Sequence, residues 1–298
     1  MEAILRRVND PSDLAHVAQP DLPYRFDQIF SAEGFGAKRL EKKRLKLMKA
    51  IDERVRTFLA EGEKVEFVSW GVEYSFAEHY FMGVWAQLLN RRAVIITNRR
   101  ILLMQINSRN KVLQLKNQLR YTAITKFAKG TFGYLGLTLR DNKTLYLTSI
   151  PRKDRKQLRE RIAAHMEATR AEAPAPGLEN LCPHCGHRVL GLPERCSQCA
   201  RDFKSGAKAG WLSMILPGLG DLYLGHRGLG VLEIMGALAA WAFVVFAFAL
   251  GGGEEANGGL DVTGAIVGAV LVFAFVHLPD AWITRRMGLK GIYPAGGE

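Results

Sequence analysis

The sequence has only four cysteines in 298 residues, and all four fall between positions 182 and 199. A disulfide framework needs thiols spread over the chain, so covalent staples are excluded as the main source of stability. Acidic residues are scarce where bases are dense: residues 91–156 hold sixteen Lys and Arg against Asp141 and Asp154 alone, a local +14 in a chain whose net charge is +12. The start, from Met1 to Arg7 and on through Asn9, Asp10 and Pro11, lacks an apolar run of the kind a secretory signal needs, so no signal peptide is expected. HExxH, a phosphate loop and a nucleophile–base pair are also missing. Glu78, His79 and His165 stand without the spacing that would make them a site, and the chain is expected not to be an enzyme.

What is present is organised in blocks. Leu229–Leu250 carries one charge, Glu233, and Val262–Pro279 carries none. These lengths fit two crossings of a ~30 Å hydrocarbon layer, the second at the short end. The connecting segment from Gly251 to Gly259 has Glu254 and Glu255 and no base, while Arg201, Lys204 and Lys208 precede the region and Arg285, Arg286 and Lys290 follow it. Both termini are therefore expected to be cytoplasmic. Phe243, Phe246, Phe248, Phe273 and Phe275 lie on several faces, which argues against the alternative of a buried hairpin in a soluble protein. Glu233 is expected to snorkel or pair with Arg227, and Gly264 and Gly268 form a GxxxG face for hairpin packing or, secondarily, a homo-oligomer.

Ahead of the first crossing, residues 211–225 are broken by Pro217-Gly218 and are too short to span, which reads as an interfacial or re-entrant piece with Trp211 and Tyr223 at headgroup level. Pro217-Gly218-Leu219-Gly220, Tyr223-Leu224-Gly225, Gly228-Leu229-Gly230 and the closing Leu278-Pro279-Asp280 resemble the two-transmembrane-helix domain family common in bacterial membrane proteins, over about 208–286. That resemblance implies location in a bacterial inner membrane and topology rather than a chemistry. Gly218-Leu219-Gly220-Asp221 also fits the GxGD pattern of intramembrane aspartyl proteases, with Asp280 as a nominal second acid. Two spans are too few to enclose such a dyad.

Cys182-Pro183-His184-Cys185-Gly186 and Cys196-Ser197-Gln198-Cys199 are two CxxC pairs, each placing two thiolates on one turn. Cys182, Cys185, Cys196 and Cys199 are the expected ligands of a structural Zn²⁺, in preference to an iron–sulfur centre or a redox pair, with His184 and His187 as bystanders. The stretch 181–203 resembles a compact zinc ribbon. Ala171 to Gly177, with Pro174 and Pro176, reads as a linker over 171–180.

The amino-terminal half reads as strands at Lys64–Tyr74, Ala93–Thr97, Ile101–Ile106, Leu113–Leu115, Leu135–Leu139 and Leu145–Leu147, with turns at Asn98, at Asn107–Asn110 and at Asp141-Asn142-Lys143. After Pro151 a helix is expected, with Leu158, Ile162, His165 or Met166, and Thr169 on one face. Leu40, Leu47, Ile51, Val55 and Phe58 mark a basic amphipathic helix within 1–59, expected to pack on the β domain or touch a membrane surface. With Ile96-Thr97-Asn98-Arg99-Arg100-Ile101-Leu102, this order resembles the bacterial pleckstrin-homology and GRAM-like domains over 60–170, which implies binding of lipid headgroups or proteins at a membrane.

The fold class expected is thus a multidomain membrane protein: an antiparallel β domain capped by a C-terminal helix, a small zinc ribbon, a transmembrane helical hairpin and a cytoplasmic tail at 287–298. On charge alone, Arg91, Arg92, Arg99 and Arg100 are the candidates for contact with anionic lipids or an acidic protein. The function expected is that of a non-enzymatic adaptor or sensor anchored in the membrane. The alternative is a tethered protein that contacts nucleic acid through the ribbon and the basic face.

Overall fold

The computed structural model describes residues 10–11, 14, 22–31, 34–128, 133–251 and 262–296. The chain divides into two compact units, one of 1–191 with 196–200 and one of 192–195 with 201–298.

The first unit is a curled antiparallel half-barrel. Its main elements are α1 (Ala37–Phe58), β1 (Val65–Glu73), α2 (Phe76–Met82), α3 (Val84–Leu89), β2 (Arg91–Thr97), β3 (Arg100–Ile106), β4 (Val112–Arg120), β5 (Ile124–Phe127), β6 (Leu135–Leu139), β7 (Thr144–Thr148), α4 (Arg152–Ala168), β8 (Glu179–Leu181) and β9 (Arg188–Val189). The strand order is β5-β6-β7-β1-β2-β3-β4-β8-β9, every pair antiparallel.

The apolar runs of β2 and β3 are unbroken because both faces of the sheet are covered. Side chains alternate across the pleat. Ala93, Ile95, Leu102 and Met104 join the buried stripe of α1, Leu47, Met48, Ile51, Val55 and Phe58. Val94, Ile96, Ile101 and Leu103 point the other way, into a second cluster closed by Leu158 and Ile162 of α4. Pro151 is the cap of α4. A buried ion pair ties the two helices together: Arg44 of α1 donates to Asp154 in the first turn of α4 at 2.7 Å with both side chains fully buried, and Ser69 of β1 donates to the same carboxylate at 2.5 Å.

Residues 76–89 fold as two short helices between β1 and β2, and Ile124–Phe127 adds a strand. The segment 171–180, expected as a linker, ends in β8, because Asn117 and Gln118 of β4 pair with Asn180 and Glu179 and extend the sheet.

The second unit contains α5 (Gly206–Ile215), α6 (Leu219–Leu224), α7 (Arg227–Gly251), α8 (Val262–Val272), a wide π turn (Phe273–His277) and α9 (Leu278–Gly288). Arg227–Ala247 and Thr263–Gly288 are long and apolar enough to cross a membrane, and only 17% and 22% of their apolar windows are buried. A helix pair in the core of a soluble protein would be mostly covered. The second of these helices does not stop at Pro279 as expected but runs on to Gly288: a π turn leaves room for a residue that lacks an N–H, so Pro279 sits at the start of α9 without ending the helix. The acidic connection at 252–259 lies outside the described residues.

Candidate functional site

Two Cys-x-x-Cys knuckles are built by the same local device. The residue after each second cysteine has positive φ, Gly186 at 72° and Ala200 at 55°, and its amide donates to the carbonyl of the first cysteine, Gly186 to Cys182 and Ala200 to Cys196, each at 3.0 Å. This turn aims both sulfurs of a pair the same way. At 186 a Cβ would come within a tight 3.3 Å of the Phe58 ring, which favours glycine there. The β8–β9 hairpin holds the first knuckle, and Glu179 on β8 is gripped by Arg120, Arg188 and Gln118 at 2.8, 3.0 and 2.7 Å.

All four sulfurs lie within 4.8 Å of one another. Cys182 and Cys199 are 3.7 Å apart, as are Cys185 and Cys196, far beyond a disulfide bond, and all four are free thiols. Burial pushes the Cys182 thiol up to about 12. Burial also opposes ionisation of Cys196, but the amides of Cys199 and Gln198, which donate to its sulfur, bring it down to about 7. Four sulfurs converging on one point, with amides aimed at them, suit a cation that holds them as thiolates.

The four arginines chosen on charge do not form one patch. Arg91 and Arg92 open β2 while Arg99 and Arg100 follow its end, the length of a seven-residue strand away, ~23 Å. Arg92 is buried and pairs with Glu73 through Nε and Nη2 at 3.0 and 2.8 Å. Arg100 forms a two-pronged pair with Glu63 at 2.9 and 2.7 Å and also donates to the Phe58 carbonyl and to Gln118. Arg91 is half-buried and donates to Asn110 at 3.3 Å, and burial lowers its pKa. Arg99 is the exposed member.

In the second unit, Asp221, Glu233 and Asp280 bring carboxylate oxygens within 4.8 Å of one another, a grouping with the reach to hold a metal ion. Asp221 is fully buried, accepts from Thr284 at 2.7 Å and bonds His226 Nδ1 at 3.0 Å. Asp280 accepts from the Gly218 amide at 3.0 Å. These bonds tie α6 to α9 and to His226, the residue just ahead of α7. The glycines around it allow the contact: a Cβ on Gly218 would stand 2.2 Å from the Gly230 carbonyl, and one on Gly220 2.1 Å from that of Ala209. The expected Glu233–Arg227 pair does not form among the described residues. Glu233 instead faces the two aspartates, because it lies on the side of α7 that packs against α6.

Sequence reasoning also missed His277. Its Nε2 accepts from Trp241 Nε1 at 3.0 Å, so its Nδ1 carries the proton and donates to the Met214 carbonyl at 2.9 Å, linking α7, the π turn and α5.

No family model and no curated protein matches the chain. One solved structure that resembles it is the C-terminal domain of an unknown protein from Leishmania infantum, at 12% identity, covering 40% of this chain and 94% of that one, with a TM-score of 0.27. At that score the likeness carries no argument.

Proposed function

We propose that the chain is a membrane-anchored, non-enzymatic adaptor or sensor of a bacterial inner membrane. Its cytoplasmic half-barrel meets anionic lipid headgroups or an acidic partner protein, and a structural zinc ion stiffens the Cys-x-x-Cys pair at the sheet edge. The observation that carries the reading is the union in one chain of two long helices left apolar on their outer surfaces with a β unit that contains the +14 segment. Seven strands followed by α4 support the pleckstrin-homology resemblance. A basic body close to an anionic leaflet gains about 1 kcal/mol per exposed Lys or Arg at most, and that gain fades with salt.

Zinc is favoured by the sulfur spacing. Four thiolates at ~2.3 Å around a tetrahedral Zn²⁺ stand ~3.8 Å apart, against the 3.7 Å of both cross-knuckle pairs. With four sulfurs from the chain itself, no coordination position is left open for a substrate, which fits a structural role. The positive-inside bias favours cytoplasmic ends, and Gly264 with Gly268 offers a surface for a second copy.

The test uses full-length protein in lipid nanodiscs. Photo-crosslinking lipids of anionic and zwitterionic type should label residues 60–170 with a marked preference for the anionic probe, and the preference should shrink as salt rises above ~0.15 M. Labelling without preference, together with tight retention of DNA at the same salt, would turn the reading toward the nucleic-acid alternative.

A further inference from the structure

Exposed apolar side chains of the first unit gather on α2 and α3. Phe76, Tyr80, Phe81, Val84 and Leu88 are between 43 and 73% exposed, and they make up five of the seven large apolar side chains exposed in the first unit among the described residues. They are not scattered. Phe76 stacks on Tyr80 with ring centroids 6.2 Å apart, and Tyr80 meets Phe81 edge-on at 5.1 Å. Gly83, at φ 53° and with nothing near its Cβ position, turns α2 into α3 at an open tip. The opposite side, with Glu78, Met82 and Ala86, is buried. A soluble face would reverse this order and put its polar residues outward.

The charges beside this tip are sorted by sign. Glu78, the one acid of α2 and α3, is fully buried and accepts from Asn90. Glu73 is held by Arg92, and Asp154 by Arg44 and Ser69. Bases face outward instead. Between α2–α3 and the start of α4 lies an open hollow of about 480 Å³, lined in part by Tyr74, His79, Tyr134, Ser149, Arg152 and Arg155. Arg152 is exposed and Arg155 half-buried, and neither pairs with an acid among the described residues. The hollow therefore offers two guanidiniums and several neutral hydrogen-bonding groups, the chemistry that takes up a phosphate.

We propose that α2 and α3 form a wedge that enters the headgroup–acyl boundary of an anionic bilayer, with Arg152 and Arg155 holding a lipid phosphate in the hollow behind it. Aromatic rings and aliphatic side chains at a tip, with bases set back from it, match the layering of a membrane surface from acyl chain to phosphate. A folded protein partner would have to supply both an apolar groove and an acidic rim at that spacing, whereas an anionic leaflet presents them together. The inference rests on the reading of the chain as a membrane-anchored protein and deepens it by naming the surface and the lipid group.

Hydrogen–deuterium exchange on the full chain tests it in three settings: detergent, nanodiscs of phosphatidylcholine alone, and nanodiscs of phosphatidylcholine with phosphatidylglycerol. Two short helices with an uncovered face exchange fast when bare, so docking is visible as protection. The expected result is slowed exchange over 76–89 and 149–156 on the anionic discs only. Phe76→Ser with Phe81→Ser should remove it at 76–89 while leaving 149–156 in part protected. Arg152→Gln with Arg155→Gln should lower the protection about thirtyfold, which corresponds to ~1 kcal/mol for each of two bases. All four positions are on the surface, and unchanged exchange in β2 and β3 will show that each variant is folded.

Anionic-dependent protection elsewhere in 34–170 with none at 76–89 would overturn the wedge and leave the proposed function standing. No lipid-dependent change anywhere in 34–170 would overturn both. Equal protection of 76–89 on both kinds of disc would remove the phosphate from the proposal and refute it.

Discussion

Replacing Asp154 with alanine should unfold the half-barrel at distinctly lower denaturant than any surface change. Its carboxylate is fully buried, lies 2.7 Å from the equally buried Arg44 and accepts from Ser69 at 2.5 Å. Arg44 also donates to the Ile29 carbonyl and lies 4.4 Å over the Phe67 ring, so it has no path to water when its partner is removed. Breaking a pair of this kind typically costs ~3–5 kcal/mol, because the remaining charge stays buried without compensation. Domains are stable by only ~5–15 kcal/mol, so the loss is a large share of the whole. Arg44→Met alone should cost a similar amount, and the double variant Arg44→Met with Asp154→Ala should fall short of the sum by ~2 kcal/mol. Ser69→Ala, which removes one bond to a charged group, should cost ~1.5–3 kcal/mol. Urea titration of the full chain in detergent, read by pulse proteolysis within 34–191, gives the four values. If Asp154→Ala costs less than ~1 kcal/mol, the size of an exposed pair, or if the double variant is simply additive, the pair does not join α1 to α4 as argued.

Freshly purified protein should contain one zinc per chain, and Cys196→Ser should lose it along with the order of 179–200; metal analysis that finds none, or an iron–sulfur absorption band, would overturn the zinc assignment. Ala200→Gly should leave zinc retention intact and raise stability by up to ~1 kcal/mol, since alanine pays for its left-handed backbone there. Gly186→Ala should weaken zinc retention against a competing chelator. Lowering pH should destabilise the half-barrel through Glu63 and Glu66. Burial raises both pKa values, but Arg100, the Ala60 amide and Thr97 around Glu63, and His165 with Arg25 and Arg161 around Glu66, outweigh it and hold both below the ordinary carboxylate range. Their contribution is present above the unfolded pKa of ~4.3 and is lost as pH falls through the lower folded value, so Glu63→Gln should flatten the acid limb of a stability–pH curve while lowering its plateau. A cysteine at Asn257 should react with an impermeant thiol reagent from outside intact cells and one at Gly297 should not, and the reverse pattern would refute cytoplasmic ends.

Much of the fold is legible where the local pattern has one physical cause. Strands β1, β2, β3, β6 and β7 are announced by β-branched and aromatic runs between turn residues, and α4 by Pro151 ahead of a stripe at helical spacing. The two Cys-x-x-Cys pairs announce a metal site because thiols at that spacing have few other uses. Residues 76–89 were silent for the reason that makes them interesting: Phe76, Tyr80, Phe81, Val84 and Leu88 face outward, so their apolar pattern does not follow the buried face that sequence periodicity is used to find. The net charge misled in a similar way. Arg92 and Arg100 count toward the +14 in the sequence, yet their partners Glu73, at the end of β1, and Glu63, just ahead of β1, lie outside that segment and meet them only once β1 pairs with β2.

The same separation explains the second unit. Asp221, Glu233 and Asp280 are spread over sixty residues, and Glu233 taken alone invites the nearest base, Arg227, as its partner. The Pro-Gly-Leu-Gly segment changes the outcome, because glycines at 218 and 220 let α6 approach the backbones of α7 and α5 more closely than any side chain would permit, and the three acids are then brought to one point. The resemblance to the GxGD proteases supplied two of these acids, and the structure does place them together. It also commits them: Asp221 to Thr284 and His226, Asp280 to the Gly218 amide. Carboxylates that hold Thr284 of α9, His226 just ahead of α7 and the Gly218 amide just ahead of α6 act as a clasp around α6. Gly218→Ala is the direct check. It should loosen the clasp and lower the thermal stability of the second unit in detergent, whereas Gly236→Ala, in open space on α7, should leave it unchanged. Equal effects of the two substitutions would mean that the close approach at Gly218 is not what holds α6 in place.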